Sequence, residues 1–386
     1  MAIDLNLNVF TPVSAENQVF LNYGVSGKCS SEVVSAIYQR LILESNYGGG
    51  NPYIQRLRQE TRRLARAKFA EVINASESEI MLTSSTTEGV NVISNGVKFQ
   101  PGDEVIITNH EHYSCLVTWK NLQVTKGIHI KTIDLSTLLV EDGKLNLELF
   151  LEKLTSLISH RTKLFFCSHI LYTTGTEMPI ERICEFLRSK NVLSLIDGAQ
   201  SFAHIEVDVK KLGCDFYAVS GAKWLCGPPG TAALYIKVDK QSELEHTYCG
   251  YVSVTSSETL EFEINAFSFE VSTINIPLLC GTIRAIDEYL IQGKEKLERI
   301  RRNASAIYQF LAAYDHINFY SSYSSNGIIT FKSTKIAYEE LFKEFLGKGI
   351  VCRDISELEA VRLTVPDVLE SEDFYKIRKV VQNIFS

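Results

Sequence analysis

Phe216-Tyr217-Ala218-Val219-Ser220-Gly221-Ala222-Lys223-Trp224-Leu225-Cys226-Gly227-Pro228-Pro229-Gly230-Thr231-Ala232-Ala233-Leu234-Tyr235-Ile236 holds a lysine between two short apolar strands. Glycines and prolines stiffen the loop around it. Upstream the same grammar repeats. Apolar runs at Glu104–Thr108, His129–Ile133, Lys163–Cys167 and Leu193–Asp197 alternate with amphipathic stretches such as Glu181–Lys190. Alternation of this kind predicts an α/β chain with a mostly parallel sheet wrapped by helices. Residues 240–265 turn polar and irregular. Beyond them a long helical run, Pro277–Ala313, leads to a smaller α/β unit with strand Gly327–Phe331 and helix Tyr338–Gly347. The predicted division is a large domain at 15–255 and a small one at 256–386, with segment 1–14 packing on the latter.

A lysine at a strand end ordinarily extends its amine to solvent. Held in a stiff loop away from bulk water, Lys223 would instead lose proton affinity and become nucleophilic toward an aldehyde. Leu193-Ser194-Leu195-Ile196-Asp197-Gly198-Ala199-Gln200 reads as a buried strand ending in a carboxylate. Taken alone, Asp197 would cap the next helix. In open α/β sheets, however, ligands sit beyond the carboxyl ends of strands. An anion there can keep a pyridine ring protonated, which is what pyridoxal 5'-phosphate (PLP) needs as an electron sink. A third element, Ser84-Ser85-Thr86-Thr87-Glu88, joins the strand-like Glu79–Thr83 to a helical Gly89–Ser94. Its hydroxyls at a helix start form an anion site or an ordinary cap.

The 386 residues are 45% hydrophobic and carry a formal charge of −7, so a large core is expected and no electrostatic footprint for nucleic acid. The basic stretch Ile54–Glu71 reads as a solvated helix face. No apolar run reaches the length of a membrane span, and Met1-Ala2-Ile3-Asp4-Leu5-Asn6 lacks the pattern of a signal peptide. Nine cysteines are scattered without paired spacing, which suggests free thiols in a cytoplasmic protein and no metal site.

These motifs, in this order, resemble the PLP-dependent fold type I enzymes of the class V aminotransferase group, which includes cysteine desulfurases and cystine C–S lyases. The resemblance runs from about Phe20 to the C-terminus. It implies a seven-stranded-type sheet in the large domain and a homodimer. It places the cofactor on Lys223, its ring nitrogen on Asp197 and its phosphate near Thr86, Thr87 and Ser220. Gln200 falls in the Asp-Gly-Ala-Gln-Ser motif, and His112 of Glu111-His112 corresponds to the histidine that stacks on the ring and helps move protons. Phe269-Glu270-Val271-Ser272-Thr273 matches the segment whose threonine reaches the neighbouring subunit's cofactor. Arg353 matches the arginine that grips the substrate carboxylate, with Gly24 and Tyr172 beside it. Arg362 is read as structural or as supporting Arg353.

Departures from the family pattern narrow the expectation. Desulfurases carry a nucleophilic cysteine shortly after the substrate arginine, but Asp354–Val361 contains none. Cys352 reads as a small buried residue. The compact segment resembles that of C–S lyases, which release sulfur directly. Ala222 stands where the family usually has histidine, and Ser272 where it has glycine. Tyr172 and Thr173 occupy a stretch where relatives carry asparagine close to the cofactor's phenolic oxygen, and either could supply a hydroxyl instead. The expected reaction is β-elimination from cysteine, cystine or a related sulfur amino acid through a quinonoid carbanion. An epimerase, aminotransferase or cyclisation enzyme is the alternative, and a non-catalytic fold type I protein is the reading from another class.

Overall fold

Seven strands build the large sheet: β1 (Ile80–Thr83), β2 (Glu104–Thr108), β3 (His129–Ile133), β4 (Thr162–Ser168), β5 (Leu193–Asp197), β6 (Phe216–Ser220) and β7 (Ala232–Ile236). The structure is a computed structural model that describes residues 18–139, 143–256, 258–321 and 326–386. Segment 1–14, expected to pack on the small domain, lies outside the described residues. The strand order is β1-β7-β6-β5-β4-β2-β3. Only β7 runs antiparallel to its neighbours, so the sheet is mixed but mostly parallel, as the alternation predicts.

The strands are apolar on both faces because helices cover both faces. Successive side chains point to opposite sides of a sheet. Ile106, Phe165 and Cys167 accordingly enter one core, while Val105, Ile107, Leu164 and Phe166 enter the other. Helices α1 (Ser31–Tyr47) and α2 (Pro52–Ile73) lie on the first side, with Val33 and Phe69 in its core. Helices α3 (Thr86–Gly96) and α4 (Tyr113–Lys126) close the second side through Val90, Ile93, Trp119 and Leu122. Helices α5 (Leu147–Leu157) and α6 (Ile180–Ser189) return to the first through Phe150 and Ile183.

The 37-residue helix α7 (Ile276–Ala312) packs on α1 and α2 and leads to a second sheet. Its strands are β8 (Ile317–Phe319), β9 (Ile328–Ser333), β10 (Arg353–Ile355) and β11 (Ala360–Thr364), in the antiparallel order β8-β9-β11-β10. Helices α8 (Tyr338–Gly347) and α9 (Ser371–Phe385) bury Leu341, Phe345, Ile377 and Val381 against it. The chain's first described residues belong to this unit: Val19–Phe20 pairs with Ile350–Val351. From there the chain runs across the large sheet, where the Gly27 N–H donates to the Ala222 carbonyl at 2.8 Å. Among the described residues no helix is long and apolar enough to cross a membrane.

Candidate active site

The loops after β1, β2, β4, β5 and β6 open on one edge of the large sheet, and the small sheet faces them. Between lies a cavity of about 260 Å³, just under the roughly 300 Å³ at which small-ligand pockets begin. Gly24, Thr86, Thr87, His112, Tyr172, Asp197, Gln200, Ser220, Lys223 and Arg353 all line it, with Arg362 beside them. Sequence reading therefore brings ten of its site residues to one place. Thr273 is not among them: it is exposed, and its hydroxyl meets that of Tyr251 at 3.3 Å.

The lysine loop is fixed by its own backbone. The Gly221 N–H donates to the Thr231 carbonyl at 2.9 Å and the Gly227 N–H to the Gly221 carbonyl at 2.8 Å. A Cβ at Gly227 would lie 2.7 Å from that carbonyl, so no side chain fits there. Trp224 is buried, stacked on His204 with ring centroids 3.5 Å apart. Its indole N–H donates to Gln200 Oε1 at 2.8 Å, and Gln200 Nε2 donates to the Gly24 carbonyl at 2.8 Å. The Gly24 N–H in turn donates to Thr364 Oγ1 of β11 at 2.9 Å. One chain of hydrogen bonds thus ties the lysine loop, the N-terminal strap and the small sheet. Burial pushes the Lys223 amine below the ordinary lysine range; the pull of Asp197 opposes this and Arg362 adds to it.

Asp197 ends β5 with both oxygens engaged. Oδ1 accepts from the Ala199 N–H at 2.8 Å, and Oδ2 accepts from the Cys115 thiol at 3.5 Å. Burial, with Asp197 and Glu111 nearby, pushes that thiol well above its ordinary range, so it stays protonated and able to donate. Behind it Glu111 lies between Thr108 Oγ1 at 2.6 Å and Ser168 Oγ at 2.7 Å. Burial pushes Glu111 up to about 8 despite these partners, so at neutral pH it is largely uncharged.

His112 caps helix α4. Its Nδ1 accepts from the Ser114 N–H at 3.3 Å and lies 2.8 Å from Ser114 Oγ. A backbone N–H can only donate, so Nδ1 carries no proton and the neutral ring bears its hydrogen on Nε2. Burial and then the Lys223 charge lower its proton affinity. At the start of α3, Ser85 Oγ accepts from the Glu88 N–H at 3.2 Å, the ordinary cap that the sequence allows. Thr86 Oγ1 is buried with no partner, at a helix terminus whose free amides and dipole favour an anion.

On the facing wall Arg353 of β10 and Arg362 of β11 are cross-strand partners. Arg362 is only 1% exposed; Nη1 donates to the Tyr172 carbonyl at 2.7 Å, while Nε and Nη2 have no partner. Burial, then the Arg353 charge, lowers its guanidinium to about 10. Arg362, read from sequence as structural or supporting, is a buried arginine with open donors. A charged side chain inside the apolar run Ala360–Val365 was the signal. Neither Tyr172 nor Thr173 offers a spare hydroxyl. The first donates to Glu357 Oε1 at 2.7 Å and the second pairs with His110 Nδ1 at 2.7 Å.

A group with an anionic end and a protonated ring fits these residues. Thr86 Oγ1 is an open buried donor, and the Asp197 carboxylate and the Lys223 amine line the same cavity. Residues 28–354 match the family model described as Aminotransferase class-V. A probable cysteine desulfurase of Methanothermobacter thermautotrophicus is 33% identical over 232 residues, 59% of this chain and 56% of that protein. A cysteine desulfurase of Wigglesworthia glossinidia brevipalpis is 32% identical over 278 residues, 69% of this chain and 65% of that protein. The matches thus span less than two thirds of the length of these curated relatives. Among solved structures, the cystine C–S lyase C-DES in complex with its reaction product cysteine persulfide superposes with a TM-score of 0.86. It is 23% identical and covers 95% of this chain and 97% of its own, a likeness of fold.

Proposed function

Because the chain belongs to the aminotransferase class-V family, we propose that it is a PLP-dependent carbon–sulfur lyase acting by β-elimination on cysteine, cystine or a related sulfur amino acid. The observation that carries this is the placement of a buried lysine amine, a carboxylate and an unpartnered hydroxyl in one cavity, at Lys223, Asp197 and Thr86. Bound PLP supplies an electron sink for negative charge at the substrate α-carbon. Lys223 would hold it covalently, Asp197 would face its ring nitrogen and His112 its ring. Thr86, Thr87, Ser220 and the amides of α3 would hold its phosphate.

The chain's own groups are suited to move the proton. Lys223, with its proton affinity lowered by burial, is a base at the α-carbon once its amine is free. Glu111 behind Asp197 holds its own proton, so it puts no second negative charge beside that carboxylate. Arg362 orients the substrate carboxylate with Nε and Nη2, the planar fork that suits a carboxylate.

Direct release of sulfur, and not transfer to a protein cysteine, is supported by the connection between β10 and β11. It is a single 3-10 turn, Ser356–Leu358, followed by Glu359, and it contains no cysteine. We further place the enzyme in the cytoplasm as a homodimer, in which exposed Thr273 reaches the partner's phosphate site. The test is direct. Protein reconstituted with PLP should absorb visible light and produce pyruvate and sulfide from L-cystine or L-cysteine, and Lys223→Ala should abolish both. Protein that PLP cannot colour refutes the cofactor. Coloured protein that makes neither product refutes the lyase.

A further inference from the structure

Cys115 sits on the first turn of α4 and is only 1% exposed, in the core that Trp119 and Leu122 of the same helix enter. A buried thiol in such a place is ordinarily a small apolar filler. This one also meets Asp197, 82 residues away in sequence, with its sulfur 3.5 Å from Oδ2. Hydrogen bonds between two oxygens span about 2.5–3.0 Å, so a hydroxyl oxygen at that distance falls short. The larger sulfur atom reaches.

The neighbouring hydrogen bonds leave the thiol's proton to Asp197. His112 Nδ1 accepts from the Ser114 N–H, so it is bare, and Ser114 Oγ, 2.8 Å from it, donates to it as well. Ser114 Oγ also lies 3.9 Å from the Cys115 sulfur, but its one hydrogen is spent on His112. The S–H thus has two oxygens in reach, and the Asp197 carboxylate is the nearer. Burial pushes the thiol well above its ordinary range, which keeps it a donor. Adjacent residues on one helical turn, Ser114 and Cys115, therefore set the hydrogens around both side chains assigned to the cofactor ring.

Resting on the PLP reading above, though not on the reaction assigned to it, we propose that Cys115 is a positioning residue for the cofactor's ring nitrogen. Its S–H holds the Asp197 carboxylate in one orientation and favours the carboxylate's charged form. That anion beside the ring nitrogen keeps the ring protonated. Loss of the thiol shifts the shared proton from the ring toward Asp197 and weakens the electron sink.

The first test uses cofactor-free protein. Infrared spectra of the wild type and Asp197→Asn should differ by one S–H stretching band, which lies at higher frequency in the variant and is missing from Cys115→Ala. The other eight of the nine thiols cancel. An unmoved band overturns the thiol–carboxylate bond, and this comparison stands even where Cys115→Ala does not fold. The second test loads PLP labelled at its ring nitrogen. The nitrogen resonance of Cys115→Ala should shift toward that of an unprotonated ring, and kcat should fall about 3- to 10-fold with little change in KM, the net worth of one hydrogen bond. In an Asp197→Asn background the same substitution should cost no further kcat, because the thiol acts through that carboxylate. An unshifted resonance, or an equal kcat loss in both backgrounds, makes Cys115 a packing residue and overturns the proposal. Protein that takes up no PLP refutes the cofactor and the positioning role together. Protein that binds PLP and cleaves no sulfur amino acid refutes the lyase alone, and the ring-nitrogen resonance still decides the role of Cys115.

Discussion

The floor of the cleft and the wall opposite are built on contrary principles. On the floor nearly every polar group is matched by another. Asp197 accepts from Ala199 and Cys115, Gln200 bridges Trp224 and Gly24, and His112 is locked by Ser114. On the wall two guanidiniums face each other without a counter-ion. Matched groups are preorganised and stabilise the fold, whereas unmatched buried charge costs stability until something binds. The floor is shaped for a group that stays, and the wall for one that comes and goes.

The contrast breaks most sharply at Asp197 and Arg362. Asp197→Asn keeps the acceptor for Ala199 N–H and removes the charge, so it should lower kcat/KM by about 10²–10³-fold. Arg362→Met should raise KM by roughly 10- to 100-fold. It should also stabilise the protein by on the order of 1 kcal/mol, because it removes a desolvated, half-paired cation. Urea unfolding of both variants beside steady-state kinetics checks the pair. A destabilised Arg362→Met would show that the wall, too, is matched.

Much of this was legible in sequence, and the part that was not has identifiable causes. The strands Glu104–Thr108, His129–Ile133, Leu193–Asp197 and Ala232–Ile236 stand where their apolar runs predict, and so does helix Tyr338–Gly347. Strand direction leaves no mark on such a run, so the reversal of β7 was invisible. Helix α1 went unread because Val34, Tyr38, Leu41 and Ile42 face outward and Val33 is its only buried apolar residue, which erases the usual one-sided pattern. Tyr172 and Thr173 look like spare hydroxyls in sequence. Their partners lie 185 and 63 residues away, a distance no local pattern spans. The open donors of Arg362 were hidden for a related reason: a sequence shows a charge but not the absence of its partner.

Glu111 tests the floor by pH. Its carboxyl is raised from the ordinary 4.5 to about 8, so the folded protein keeps a proton that the unfolded chain releases. The stability this contributes is full below pH 4.5 and drains away as pH rises toward 8. Glu111→Gln keeps hydrogen-bond partners for Thr108 and Ser168 and cannot ionise. The wild type should lose more stability than the variant between pH 5 and 8, by on the order of a few kcal/mol. Urea midpoints at the two pH values measure it. Parallel loss in both proteins would mean that Glu111 is already ionised at pH 5 and shares the floor's charge with Asp197.

The smallest expected effect separates two neighbouring hydroxyls on the floor. Ser85 Oγ already accepts from the Glu88 N–H, whereas Thr86 Oγ1, one residue on, is buried with no partner. Ser85→Ala removes a cap and should destabilise the protein by about 1 kcal/mol with or without PLP. Thr86→Val swaps an unmet hydroxyl for a methyl of the same shape, so the cofactor-free protein should be no less stable than the wild type. It should instead weaken PLP by roughly 5- to 10-fold, the net worth of one hydrogen bond. Equilibrium titration of PLP into each apoprotein, with urea unfolding alongside, reads both quantities. If Thr86→Val loses apoprotein stability and keeps its PLP affinity, the hydroxyl serves the fold, and the open donor on this floor has been assigned to the wrong partner.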